Sequence, residues 1–542
     1  MKALFRVLIA ATLTTAATGC ESFLDINQNP NQPTTQTPDA LLASALTTTA
    51  ANYMGGGTNY NTYASFATGY WGKTGTVSGF TEEQTYNYSN TYYQALFNNT
   101  YDNLNNYELI QRQGMTTGYP YHAAIARIMK VYNYLLLVDE YGDIPYTQAL
   151  KGIANTTPVY DKAADIYKDF IVQLKGAVTD INTAAAAKPS VRAVGPEDVV
   201  FQGNMLMWKQ FANSLRLRIL LREDNPVKLG KPELAAEWTA LQSEVDGFIT
   251  TDVVVQPGYA TNSNQQNPFY DRYGFGVGVA RATAEYSFVM PTNYIIRQYV
   301  TNKDPRITQL YRVGQTNNPG TTTATPGYVG TDLGEHQPPL FDPTDGATVG
   351  SRFRQGGTFL RGSNAPTVLM LLSEHLFSKA EVETRFSMGN PAAAKADFMS
   401  GITASFQTIY RDAVTTPALL ADPSSPTSPS SVPGVVQSEA YANDNVANPL
   451  VNFDLATSKE AKQSIILYQK YLAENTLAST EAWNDYRRTA QPKFEVSLRS
   501  ASPRPDKLPT RLIYPQTEVS TNATNVPKGV DQFTKIFWDV LD

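Results

Sequence analysis

A single cysteine occurs in the 542 residues, and its position decides how this chain can be held together. It is Cys20, and it directly follows the small residues Ala17, Thr18 and Gly19. Ahead of them lie Lys2 and Arg6, then an uncharged run of apolar and small residues from Val7 to Ala17. A positive start, a short apolar segment and small residues at a cut point mark an export signal, too short to stay in a bilayer as a span. A cysteine just after the cut matches a bacterial lipobox, in which the thiol is acylated and the peptide is cleaved before it; Ala17 stands where the strict pattern prefers Leu. Acylation of Cys20 leaves the mature chain without a thiol. An exported protein with no disulfide is stabilised by its core alone, and at this length a large core can be buried. Several acyl chains also give a stable membrane hold where one is marginal.

Charge and motif content narrow the function. Cleavage after residue 19 removes Lys2 and Arg6 and no acidic residue, so the formal charge moves from -6 to -8. An acidic protein is poorly suited to nucleic acid or to anionic lipid. One cysteine offers neither a redox pair nor a thiolate metal site. His122, His336 and His375 stand far apart and without H-E-x-x-H spacing, and no Gly-x-Ser-x-Gly elbow or phosphate loop occurs. Gly274-Phe-Gly276-Val-Gly278 lacks the strand-to-helix setting of a dinucleotide fingerprint. Asp342-Pro-Thr-Asp345-Gly346 lacks the full calcium-loop pattern and reads as a turn. No cofactor and no metal are expected. A glycoside hydrolase needs two carboxylates across a cleft, one of them held protonated, and with 49 acidic residues the presence of such a pair decides nothing.

Apolar residues recur at helical spacing along most of the chain. Leu41, Leu42, Ala45 and Leu46 form the first such set. Tyr121 to Asp139 puts Ile125, Ile128, Met129, Tyr132, Leu135 and Leu136 on one face, and Gly142 and Pro145 end it. Ala163 to Leu174 and Trp208 to Arg222 repeat the pattern, with Arg216, Arg218 and Arg222 assigned to other faces or to snorkelling heads. Pro366 to Phe386, a shorter segment from Pro391, Lys459 to Ala473 and Glu481 to Arg488 complete the helical set. Residues 54–90, 255–285 and 311–362 are rich in Gly, Asn, Thr, Tyr or Pro without a clear period. They predict long ordered loops, where function tends to concentrate. Residues 415–436 are Pro/Ser/Thr low complexity and predict an exposed excursion. The resulting organisation is a signal over 1–19, an acylated cysteine with a flexible tether over 20–39, and one mainly helical domain over 40–542.

Several segments resemble the SusD/RagB-like nutrient-binding outer-membrane lipoproteins, nearest the SusD-like branch. They are Cys20-Glu-Ser-Phe-Leu-Asp25-Ile-Asn27-Gln-Asn29-Pro30-Asn31, Asp139-Glu-Tyr141-Gly142-Asp143-Ile-Pro145-Tyr146, Trp208 through Arg218, and Asp304-Pro305-Arg306. Further along come Pro366 through Glu374, Ala380, Glu381 and Gly401–Ser405, then Gln469-Lys470, Trp483 through Thr489, and Pro509-Thr-Arg511-Leu-Ile-Tyr514-Pro515. Each is weak alone; together they span the mature chain in the family's order. The resemblance implies a right-handed superhelix of tetratricopeptide-like helix pairs, although the usual repeat consensus is not visible. It also implies long irregular loops on one side carrying a shallow ligand site. The implied role is a lipid-anchored outer-membrane protein at the cell surface, capturing an oligosaccharide or peptide nutrient. It would act as a hinged lid over a TonB-dependent SusC-like transporter. A surface glycoside hydrolase and a helical-repeat scaffold for protein partners remain the alternatives.

Most of the matched motifs read as scaffold. Asp139, Glu140 and Asp143 fall at a helix end, where Gly142 suits a left-handed cap and the carboxylates suit capping and ion pairing. Glu374 and Glu381 lie two turns apart on one face, with Arg487 and Arg488 as candidate partners. Ligand contact is expected instead from loop aromatics, whose flat apolar faces and polar edges suit sugars. Tyr70, Trp71, Tyr86 and Tyr88 are the candidates in the first long loop, and Tyr270, Tyr273 and Phe275 in the second.

Overall fold

A computed structural model describes residues 36–187, 190–223, 232–277, 282–317, 324–341, 348–385, 390–412 and 432–539. The export signal, Cys20, the tether to residue 35, Asp342–Gly346, Gly278 and most of the Pro/Ser/Thr stretch lie outside these residues. Thirteen helices of eight or more residues stand among them. In chain order they are α1 (Pro38–Tyr53), α2 (Tyr60–Ala67), α3 (Gln94–Gly114), α4 (Pro120–Tyr141), α5 (Ala163–Ala186), α6 (Met205–Glu223) and α7 (Pro232–Gln242). There follow α8 (Asn293–Thr301), α9 (Leu372–Arg385), α10 (Pro391–Tyr410), α11 (Val435–Asp444), α12 (Lys459–Glu474) and α13 (Ser479–Thr489).

Neighbours in sequence are neighbours in space. α3 packs on α4, α4 on α5, α5 on α6 and α6 on α7, while α9 packs on α10 and α12 on α13. This is a mainly helical fold of tetratricopeptide-like pairs. α9 also lies against α6 and α12, so the two runs of helices share one interior. A hydrophobic cluster runs from Leu41 to Trp538, and a smaller one joins Leu217, Leu220, Leu221, Leu234, Trp238, Leu241 and Val382 between α6, α7 and α9. Burying each such Leu contributes about 1.5–3 kcal/mol.

The long loops are more structured than their composition predicts. Residues 54–90 contain α2, capped by the Asn59 side chain on the Thr62 amide, and a strand at Trp71–Lys73. That strand pairs antiparallel with Val289–Pro291, tying the first long loop to the second half of the chain. Among the described residues, four further two-stranded ladders staple other loops. One of them shortens an expected helix. Thr367–Met370 pairs with Val253–Val255, so the segment from Pro366 runs first as a strand and turns helical only at Leu372.

Arg216, Arg218 and Arg222 are buried and do not snorkel. α6 is surrounded by α5, α7, α9 and α13, so even its polar side points inward, and each guanidinium meets carboxylates. Arg218 grips Glu374 on α9 with both ends of its fork, at 2.9 and 3.0 Å. Arg222 pairs with Glu481 on α13 and with Asp139 on α4. Arg488 holds Glu381 with two bonds of 2.8 Å and also reaches Asp485, which Lys470 of α12 approaches at 2.7 Å. Arg487 pairs with Glu140 at 3.2 Å. Five helices are thus locked through their charged residues.

The other motifs meet in the same interior. Arg306 pairs with Asp304, donates to Ser405 at 2.8 Å and to Gln469 at 3.3 Å, and lies over the Phe406 ring. The Pro509–Pro515 segment docks on the end of α4: the Leu512 amide donates to the Glu140 carbonyl and the Tyr514 hydroxyl to that of Asp143. Gly142 ends α4 at a φ of +71°, a conformation glycine adopts freely. Asp143 then caps α5 through the Ala163 amide and pairs with Lys162.

Candidate functional site

Five of the seven expected aromatic contacts lie inside the protein. Tyr70 is stacked on Tyr471 at 4.5 Å, and its hydroxyl donates to the Tyr471 carbonyl. Trp71 has no exposed surface; it is ringed by Phe66, Phe269, Tyr273 and Phe353, and its indole N–H donates to Thr476 at 2.8 Å. The Tyr86 hydroxyl accepts from the Ser497 amide, and Tyr88 stacks on Tyr92 at 4.4 Å. Tyr273 exchanges a hydrogen bond with Thr62 and accepts one from Arg272. These rings anchor the loops on the helices, which leaves them no face for a ligand. Tyr270 and Phe275 are half-buried, 6.3 Å apart, with Phe275 leaning on Tyr286.

The second long loop does form an open cleft, but neither of these two rings lines it. Its volume is 590 Å³, bounded by Thr47 and Ala51 of α1 on one side and by residues 257–271 on the other. That lies within the range of small-ligand sites. The loop is held from below. Asn267 caps the short helix Pro268–Tyr273 with its carbonyl oxygen, while its amide nitrogen donates to Ala365 and Thr367. Gln256 donates to the Asn364 carbonyl and accepts from the Gly258 and Tyr259 amides. Gly55 passes at a φ of +89° so close to Phe269 that a Cβ there would meet its backbone nitrogen at 2.3 Å.

On this frame Tyr259, Asn264, Gln265, Gln266 and Asp271 face the cleft. Asn264 sits in the left-handed region, φ +61°, which Asn tolerates better than most residues. The side chains of Asn264 and Asp271 are exposed and make no hydrogen bond or ion pair among the described residues. Pro268 and Asp271 are three apart on the short helix and share its cleft side; Tyr270 lies on another side, toward Phe275. An aromatic ring with a free amide, Asn264, and a free carboxylate, Asp271, can hydrogen-bond a polyhydroxylated ligand while packing on its apolar face. This set contains no aromatic pair, the pattern expected of the loops. Its signal was the amide run Asn262-Ser-Asn264-Gln265-Gln266-Asn267 following Tyr259.

Perturbed carboxylates lie elsewhere. Burial, which outweighs the attraction of Arg487, pushes Glu140 up to about 7. Burial pushes the same way at Glu381, but the facing Arg488 and Arg385 overcome it and hold the acid at about 2. Both sit in the sealed ion-pair network, where no substrate reaches. Among the described residues no group of three or more His, Cys, Asp or Glu side chains could hold a metal ion, and no helix is long and apolar enough to cross a membrane.

Comparison with known proteins supplies a family and a fold. The SusD-like family model described as “Starch-binding associating with outer membrane” matches residues 30–515. Among solved structures, a chitin-binding protein shares 23% identity at a TM-score of 0.70, over 92% of this chain and 100% of its own. A chitin-binding SusD homolog from Flavobacterium johnsoniae shares 21% at 0.67, over 92% of this chain and 98% of its own. A SusD homolog from Bacteroides fragilis shares 22% at 0.66, over 93% of this chain and 99% of its own. At these identities the likeness establishes the fold. No curated protein sequence matches the chain.

Proposed function

The chain belongs to the SusD-like family, and on that premise we propose that it is a surface glycan-binding lipoprotein that passes an oligosaccharide to a TonB-dependent SusC-like transporter. The family's association with the outer membrane supports the location, and the lipobox at Cys20 supplies the anchor. One observation carries the ligand class: the 590 Å³ cleft presents Tyr259, Asn264, Gln265 and Asp271 on a loop braced by the helices. Chitin-binding relatives make N-acetylglucosamine oligomers the first ligands to test. The cleft holds one carboxylate, Asp271, among its described lining residues, so it lacks the acid–base pair of a hydrolase.

Calorimetry with chitohexaose and maltohexaose tests the site. Tyr259→Ala and Asp271→Ala should each weaken binding about tenfold or more, as hot-spot residues do. Binding equal to the wild type in both variants would move the ligand elsewhere. Cys20→Ser should release the protein from membranes in a strain lacking the transporter, and retention in detergent-free extracts would remove the lipid anchor. Purification from native membranes in mild detergent should recover a TonB-dependent barrel with the wild-type protein. Recovery of free lipoprotein alone would count against the transporter.

A further inference from the structure

A second cavity of 390 Å³ opens between α3, α4 and α5, away from the loop cleft. It lies beneath the strap that leads from the end of α4 toward α5. The strap is fixed in place: Asp161 accepts the amides of Tyr146 and Thr147, each at 2.9 Å, and the Thr147 hydroxyl at 2.8 Å. Leu150 crosses at a φ of +61°, an unusual conformation for a branched apolar residue.

The polar groups of the cavity are already arranged. Lys130 donates to Glu108 at 2.5 Å and to Gln111 at 3.1 Å. Arg127 donates to Gln173 at 2.8 Å and to Asp180 at 2.9 Å. The Tyr146 hydroxyl donates to Asp169 at 2.5 Å. Arg127 and Lys130 are matched by carboxylates, and Lys151, the third cation of the lining, is exposed on the strap, so a charged ligand gains little inside the groove. One group is left over. Tyr134 lines the cavity with only 3% of its surface exposed, and its hydroxyl has no hydrogen-bond partner among the described residues. That oxygen is not one of those sealed off from solvent, so it opens on the cavity. The ring is held edge-on by Tyr146 at 4.8 Å, which fixes where the hydroxyl points. A hydroxyl that opens on a cavity with no protein partner takes one from whatever fills it, a water or a ligand.

We propose that this groove is a second saccharide site, with the Tyr134 hydroxyl bonding a sugar hydroxyl and the half-buried Tyr146 and Leu150 side chains packing on the sugar's apolar face. Neutral hydroxyls are matched by a neutral phenol that both donates and accepts. The ligand has room to continue. Beyond Ala149–Lys151 a further cavity of 520 Å³ runs along the same side of α3, offering Tyr101, Asn98, Asn105 and Asn155. The inference rests on the groove's own chemistry and stands whether or not the loop cleft binds.

The test uses the full chain, with chitohexaose and maltohexaose as probes in calorimetry. The parent for the test is the double variant Tyr259→Ala/Asp271→Ala, which disables the loop cleft. It should still bind one oligosaccharide per chain, where the wild type binds two. Adding Tyr134→Phe removes one oxygen that has no protein partner, so the melting temperature should not fall. Binding should weaken roughly five- to tenfold, the value of one hydrogen bond. A wild type that binds only in the groove would refute the loop-cleft reading and uphold this one. A double variant that binds neither probe, or a Tyr134→Phe variant that binds as its parent does, would overturn the second site and leave water as the hydroxyl's partner.

Discussion

Trp71→Ala separates a ligand contact from a loop anchor. The indole is wholly buried, with ring centroids of Tyr273 and Phe353 at 5.1 and 5.3 Å and of Phe66 and Phe269 at 6.1 Å. Truncating a buried Trp leaves a cavity its neighbours only partly fill, at about 3–5 kcal/mol. The four rings belong to three segments, α2, the Pro268–Tyr273 helix and Arg352–Phe353, so a concerted collapse is unfavourable and the upper half of that range applies. Thr476 loses the indole donor, which adds about 1 kcal/mol. Trp71→Phe keeps a ring and should cost less than half as much. Urea unfolding followed by circular dichroism reads the loss as a lower midpoint, and calorimetry on the same samples should show oligosaccharide affinity retained while the variant is folded. An unchanged midpoint with weakened binding would put Trp71 at the ligand and break the argument from burial.

Other perturbations probe the ion-pair network and the loop frame. Glu481→Gln leaves Arg222 and Arg218 short of a buried countercharge and should cost about 3–5 kcal/mol of unfolding free energy in urea. Glu474→Gln should change it by less than about 1 kcal/mol, because burial, outweighing Lys470 at 3.8 Å, raises that carboxyl well above the usual carboxylate range and Gln copies the neutral form. Stability should peak at about pH 4.5 and decline from there to about pH 7 in thermal melts. Burial raises Glu83, Glu140 and Asp539 to about 7, so their contribution is present below the unfolded carboxylate value and lost as pH rises through 7, whereas Glu381, at about 2, loses its contribution as pH falls below 4.5. A stability that climbs steadily to pH 8 would mean the three raised acids are ionised in the folded protein. Gly55→Ala forces a side chain into the Phe269 backbone at a positive φ, and should lower the melting temperature while loosening the cleft.

A helical segment with a plain apolar stripe was legible in the sequence, since α5 buries the residues its spacing puts on one face. α6 was not, because a helix enclosed on all sides has no polar face to mark, and its arginines look like surface residues until Glu374, Glu481 and Asp139 are seen opposite them. The motifs shared with the family were legible as an ordered set. Their chemistry was partly so: Arg488 does meet Glu381, but Glu374 finds Arg218 from an earlier helix, a pairing across 156 positions that no local spacing records. The candidate site was least legible. Aromatic residues in a Gly-rich loop serve equally as anchors and as ligand platforms, and only burial distinguishes Trp71 from Tyr259.

This division has a physical consequence for how the protein can change. The buried charges hold α4, α6, α9, α12 and α13 to one another, and an altered member leaves its partner unpaired in the interior. Asn264 and Asp271 support nothing else among the described residues; the loop that carries them is fixed by Asn267, Gln256 and the ladder at Thr367–Met370. A substitution at Asn264 or Asp271 therefore acts on the ligand with little effect on folding, whereas one at Asn267 acts on both. Asn267→Ala removes the cap of the Pro268–Tyr273 helix and two bonds to the 365–367 segment, so it should lower stability by about 1–2 kcal/mol and also weaken oligosaccharide binding. Unfolding and titration on Asn267→Ala beside Asp271→Ala would show whether the two effects separate. Equal losses of stability in both variants would mean that the cleft residues are part of the scaffold after all.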